Sequence, residues 1–131
     1  MNYLDDAQRH LLLGKLEARR RQLRDDIARE LQRSENERHR EVAGAVRDAG
    51  DESVANLVTD LDAAEVERDV REIRDIEAAL ARIEAGNYGL CLDCGFEIPY
   101  QRLLAEPAAA RCVACADRYE RRHAHNPISR M

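Results

Sequence analysis

All four cysteines of the 131-residue chain stand in two pairs, Cys91-Leu92-Asp93-Cys94 and Cys112-Val113-Ala114-Cys115, with seventeen residues between the pairs. Two C-x2-C knuckles at that separation are the arrangement of a four-thiolate zinc site. Zn²⁺ takes soft ligands at tetrahedral corners, and two residues between cysteines let each pair grip one edge of the ion. Gly89 and Gly95 flank the first pair and supply the backbone freedom that a knuckle needs. Two disulfides are the alternative, but nothing else in the chain points to an oxidising compartment. A redox dithiol would need a βαβ context, which is missing. With Cys91, Cys94, Cys112 and Cys115 all bound, the ion keeps no open position, so a single structural zinc is expected, and no catalytic one. His123 and His125 are better read as tail residues than as further ligands.

The rest of the chain cannot build a thick core. Charged residues make up 36% and aromatics 4%, with one Phe and no Trp. Such a mixture, rich in Ala, Glu, Leu and Arg, belongs to long helices or coiled coils. Leu4, Leu12, Leu16, Leu23, Ile27 and Leu31 recur at spacings of four, seven or eight among polar residues, the one-sided stripe of an amphipathic helix. The stripe fades from Ser34 to Glu41 and resumes at Val42 and Val46. No proline precedes Pro99, so a single helix over about residues 4–48 is expected, with His10 and His39 on its polar faces.

Asp48-Ala49-Gly50-Asp51-Glu52-Ser53 is the first strong punctuation. Gly50 suits the position after a helix, while Asp51 or Ser53 can cap the next one. A turn over 48–53 and a second helix over about 52–85 follow, the latter carrying Val54, Leu57, Leu61, Ile73, Ile76, Leu80 and Ile83 at three-and-four spacing. Gly86-Asn87 stops it. The expected architecture is mainly α: a long antiparallel coiled-coil helical hairpin over residues 1–87, and a four-cysteine zinc module over 88–131 that closes with a short C-terminal helix from Ala116 to about Ala124. The turn at 48–53 would then be the far end of a rod.

These residues together resemble the DksA/TraR family of bacterial transcription regulators. The resemblance rests on Tyr88-Gly89-Leu90-Cys91, Cys94-Gly95-Phe96-Glu97-Ile98, Arg102-Leu103, Pro107 and Cys112-x-x-Cys115. Counting back from Cys91, the family's Asp-x-x-Asp-x-Ala tip falls on Asp48, Asp51 and Ser53, with Ser in place of Ala. Family members bind RNA polymerase and pass the hairpin into its secondary channel, bringing the acidic tip towards the Mg²⁺-bearing active centre. The resemblance implies the same for Asp48, Asp51 and Ser53, acting electrostatically on initiation without bond-making. Helix capping and turn chemistry are the plainer roles of Asp51 and Ser53, and both roles are compatible. Basic positions that bind guanosine tetraphosphate in responsive members correspond here to Asp75, Glu106 and Ala116. No strong binding of that polyanion is expected, with Arg68 and Arg102 the remaining basic residues nearby. Shorter members that act without the alarmone are the closer functional analogy.

Other readings stay open at this level. A transcript-cleavage factor would use paired tip carboxylates to hold Mg²⁺ and activate water, and a coiled-coil interaction module with a structural zinc finger would pair its hairpin with another helical partner or with itself. A sequence-specific DNA-binding finger is disfavoured by the formal net charge of −5 and by the lack of a clearly basic recognition helix. No signal-peptide pattern opens the sequence and no stretch is long enough to span a bilayer, so a cytoplasmic protein is expected; the resemblance to a family whose rod enters a pore further implies a monomer that is not an enzyme.

Overall fold

The computed structural model describes residues 3–124. Its helices are α1 (Asp6–Gln32), α2 (Glu37–Arg47), α3 (Val54–Leu57), α4 (Glu67–Ala85), α5 (Tyr100–Ala105) and α6 (Val113–Ala124), with a 3₁₀ turn at Ala64–Val66 before α4. No strand forms among the described residues, and pairing is confined to an isolated bridge between Leu90 and Glu97.

Helix α1 begins where local chemistry says it should. Asp5 accepts from the Gln8 amide at 2.7 Å and the Gln8 side chain accepts from the Asp5 amide at 3.0 Å, a reciprocal capping box. Its apolar stripe is buried in full: Leu12, Leu16, Leu23, Ile27 and Leu31 are each at most 1% exposed, and Leu4 joins them just outside the helix. Helix α4 meets this stripe with Val70, Ile73, Ile76 and Ala79. Burying a Leu or Ile side chain fully contributes about 1.5–3 kcal/mol, so the α1 stripe, packed on α4 and on α2, is a main apolar source of stability in the helical part.

The two helices are antiparallel. Tyr3 lies within electrostatic reach of Tyr88 and Glu97, so the start of α1 stands beside the end of α4. At the other end, His39 in the first turn of α2 faces Glu65 in the 3₁₀ turn that leads into α4. Helix α4 stops at Gly86, whose φ of 84° is left-handed, with the Asn87 amide donating to the Arg82 carbonyl at 3.0 Å. The hairpin pairing and this stop agree with the sequence reading.

The helix boundaries in the upper part do not. The single helix over 4–48 is broken at 33–36. Ser34 Oγ accepts from the Asn36 amide at 3.1 Å and Asn36 Oδ1 accepts from the Arg38 amide at 2.8 Å, local bonds that replace the helical ladder. The chain then reverses. Helix α2 runs back along α1 and buries Val42, Ala43 and Val46, and the residues after it reach the level of Arg20, whose guanidinium donates to the Gly50 and Glu52 carbonyls. The second helix over 52–85 is likewise interrupted: α3 is one turn, residues 58–63 are irregular, and the long helix begins only at Glu67. The turn at 48–53 therefore stands beside the middle of α1, and the end of the hairpin opposite the zinc module is the connection at 33–36. His39, expected on a polar face, is only 8% exposed because α2 is folded in rather than extended through solvent. Helix α6 starts at Val113, three residues earlier than expected, and takes in Cys115. His125 lies outside the described residues.

Candidate metal centre and acidic turn

The first cysteine pair is set by a tight reversal. Gly89 and Gly95 have φ of 91° and 78°, values that a side chain would oppose. The Gly95 amide donates to the Cys91 carbonyl at 3.0 Å and the Cys91 amide to the Phe96 carbonyl at 2.8 Å. The second pair is set by helix α6, where the Ala116 amide donates to the Cys112 carbonyl at 2.8 Å. A strap from the Leu92 amide to the Ala110 carbonyl, 2.9 Å, joins the two halves.

These two devices bring the four sulfurs of Cys91, Cys94, Cys112 and Cys115 within 4.8 Å of one another. Zn–S bonds of about 2.3 Å at tetrahedral angles put sulfurs about 3.8 Å apart, and Cys94 Sγ and Cys112 Sγ are separated by 3.9 Å. A disulfide would need about 2 Å, and all four cysteines are free thiols. The donor set therefore fits one closed, structural zinc.

The surroundings suit thiolate ligands. Burial pushes the Cys91 thiol up, yet backbone N–H groups of Cys94, Cys112 and Asp93 aimed at its sulfur bring it down to about 6. Hydrogen bonding to Cys112, burial, and the neighbouring sulfurs push the Cys115 thiol up to about 12. Four crowded sulfurs cannot all ionise unaided, and a dication removes that obstacle. Arg118 Nη2 donates to Cys115 Sγ at 3.1 Å and offsets part of the remaining charge of the cluster. Arg118 is three residues along α6 from Cys115, a helical spacing that was visible in the sequence. His123 is not part of the cluster; its Nδ1 lies 2.8 Å from the Tyr119 carbonyl oxygen.

The module is seated on the hairpin through Tyr88. This side chain is 1% exposed, and its hydroxyl donates to the Pro107 carbonyl at 2.8 Å. Burial pushes the phenol up to about 12. Arg102 Nε donates to the Arg111 carbonyl at 3.0 Å, and Arg111 in turn pairs with Asp93 at 2.9 Å and covers the Tyr119 ring.

The acidic turn is a separate place. Asp48 ends α2, its amide donating to the Gly44 carbonyl at 3.1 Å, and its side chain is exposed, as are those of Asp51 and Glu52. Ser53 caps α3 by accepting from the Asn56 amide at 3.1 Å, and its hydroxyl donates to Glu77 Oε1 at 2.8 Å. Capping chemistry thus operates at Ser53. The involvement of Arg20 and Glu77 had no signal in the sequence, because both sit inside regular charged helical stretches.

Between hairpin and zinc module lies an open cleft of about 760 Å³. Asp75, Glu106 and Ala116 line it together, with Arg102, while Arg68 is not among its walls. Lys15, Arg19, Arg82 and Arg111 are basic wall residues that the sequence reading did not include. Arg19 is held by Glu72 through two bonds of 2.7 and 2.9 Å. Burial pushes Asp75 up and Arg82 down from their ordinary values.

A helical hairpin that ends in a closed four-cysteine zinc module is the class of protein that fold and site define. The profile of the prokaryotic dksA/traR C4-type zinc finger matches residues 86–121, which contain all four cysteines. The RNA polymerase-binding transcription factor DksA of Salmonella typhimurium is 32% identical over 113 residues, 86% of this chain and 72% of that protein. A protein of Aquifex aeolicus is 45% identical over 53 residues, 40% of this chain and 37% of that protein, so the chain spans little more than a third of that relative. Among solved structures, transcription factor DksA2 from Pseudomonas aeruginosa superposes with a TM-score of 0.60 at 27% identity, covering 94% of this chain and 91% of that one. The chain belongs to the DksA/TraR family.

Proposed function

We propose that this chain is an RNA polymerase-binding regulator of transcription initiation, working from the secondary channel without sequence-specific DNA contacts. The observation that carries the reading is the 32% identity to DksA over 113 residues, which spans both hairpin and finger. The acidic turn supplies the effector groups. Asp48 and Asp51 are exposed carboxylates three residues apart in the turn, with Glu52 beside them, and would act on Mg²⁺ or basic loops where a low dielectric strengthens charge. Ser53 holds the turn's geometry. The zinc module is structural and positions the hairpin. The protein acts as a monomer in the cytoplasm and catalyses nothing itself. Among the described residues no helix is long and apolar enough to cross a membrane.

Strong guanosine tetraphosphate binding is not part of this reading. In the cleft, Asp75 and Glu106 would face its phosphates, and Ala116 offers no charge.

The test is binding of the zinc-loaded protein to core RNA polymerase, with promoter transcription read in the same samples, beside an Asp48→Asn/Asp51→Asn variant. Wild type binds and changes initiation; the variant binds and does not. Failure of wild type to bind would leave only an interaction module on a shared fold. Cleavage of backtracked RNA, lost in the same variant, would favour the transcript-cleavage reading instead.

A further inference from the structure

Arg20 on α1 and Glu77 on α4 meet across the seam of the hairpin, Arg20 Nε to Glu77 Oε2 at 3.2 Å, with side chains 12% and 15% exposed. Their other bonds all go to one short segment. Arg20 donates to the Gly50 carbonyl at 2.9 Å and to the Glu52 carbonyl at 2.7 Å. Glu77 accepts from the Ser53 hydroxyl at 2.8 Å and from the Val54 and Ala55 amides at 2.8 and 3.3 Å. Five charge-assisted hydrogen bonds thus tie residues 50–55 to the hairpin's waist, beside the Arg20–Glu77 bond itself.

We propose that Arg20 and Glu77 form a latch that stows the acidic turn, and that the chain has a second, extended form in which this turn crowns a two-helix hairpin. Three observations support the second form. The connections that fold the upper part back, Arg33-Ser34-Glu35-Asn36 and Val58-Thr59-Asp60-Leu61-Asp62-Ala63, contain neither proline nor glycine, so helix can run through both. The break at 33–36 is made by Ser and Asn side chains bonding their own backbone, bonds that helical ones can replace. Val42 and Val46 before the turn, and Val54, Leu57 and Leu61 after it, keep helical spacing, so each arm offers the other an apolar stripe once both are straight.

The latch grips the backbone of the turn and leaves the carboxylates of Asp48 and Asp51 outward. A partner whose recessed Mg²⁺ or basic loops call for carboxylates at the end of a rod must draw the turn off Arg20 and Glu77. The population of the extended form then scales its apparent affinity. This consequence for polymerase rests on the reading above; the existence of two shapes does not.

Extending the chain from residue 33 to residue 48 adds about 22 Å at 1.5 Å per residue. Small-angle X-ray scattering of the zinc-loaded full chain reads this directly, with circular dichroism and zinc content measured on the same samples. Glu77→Gln keeps the shape of the side chain and removes the charge that holds Arg20 and two amides. Arg20→Ala leaves Glu77 in the seam without its cation. Both variants are expected to gain about 20 Å in maximum dimension over wild type, with helix content somewhat higher and zinc equal. A wild type already at rod length would overturn the proposal, and so would two variants that keep wild-type dimensions. Loss of helicity in both also counts against it, since the extended form, with helix running through both connections, is more helical than the stowed one. Variants that lengthen yet fail to bind core polymerase leave the latch standing and remove the polymerase reading.

Discussion

In the zinc module four sulfurs lie within 4.8 Å of one another, and the backbone around them is turned by glycines at positive φ and by the first turn of α6. In the stretch between residues 33 and 66, by contrast, no comparable fixed point exists. Its shape comes from α2 and α3 settling on α1 and α4, from caps at Asn36 and Ser53, and from the side chains of Arg20 and Glu77. Ligand geometry leaves the first region one arrangement. Packing and capping leave the second dependent on which surfaces are offered to it. Two regions of similar length in one small protein therefore differ in how far local sequence dictates shape.

Removing the fixed point should break the contrast most sharply. Cys115→Ala, or a strong chelator, is expected to abolish zinc binding, because structural sites of this kind bind with apparent energies of about 10–16 kcal/mol. Heteronuclear NMR should show collapse of amide dispersion over the module while the α1–α4 pair keeps its helical circular dichroism. Collapse of the whole spectrum would mean that the hairpin too depends on metal.

The converse change strikes the packed region. Leu16→Ala empties a site 1% exposed in the seam and is expected to cost about 2–5 kcal/mol. Thermal unfolding of the helices should fall by the order of 10 °C with zinc stoichiometry unchanged.

Tyr88→Phe addresses the joint between the two regions and is expected to cost about 1 kcal/mol through its hydrogen bond to Pro107. The phenol is held at about 12 in the fold, against about 10 in an unfolded chain. Folding therefore favours the neutral form. That contribution is fully present below about pH 10 and is lost as pH rises through 12. Wild type should lose stability over this window, and the Phe variant should lose less, which alkaline denaturation curves can measure.

The smallest effect belongs to Asn36→Ala. Loss of this cap costs about 0.5–1 kcal/mol and should appear as faster hydrogen exchange at the Arg38 amide, with zinc affinity untouched.

The contrast also explains what could be read in advance. The ligands Cys91, Cys94, Cys112 and Cys115 were legible because metal chemistry demands one residue type at one spacing. Leu12, Leu16, Leu23, Ile27 and Leu31 were legible because a 3.6-residue period repeats often enough to survive local noise. Gly86 was legible as a stop because a left-handed C-cap favours glycine. Ser34 and Asn36 were different. Both residues tolerate a solvated helical face and both can end a helix, so the fade from Ser34 to Glu41 was compatible with either outcome.

Sequence alone thus determined the closed metal module, the antiparallel pairing of two amphipathic helices and the acidic character of residues 48–52. Only the tertiary structure decided where the chain reverses, that His39 is covered, and that the acidic turn rests on Arg20 and Glu77 beside the middle of α1. The reason is physical. A metal site and a helical period are short-range constraints written in neighbouring residues, whereas the fold-back at 33–36 exists only because Val42, Ala43 and Val46 find an apolar surface that distant parts of the chain supply.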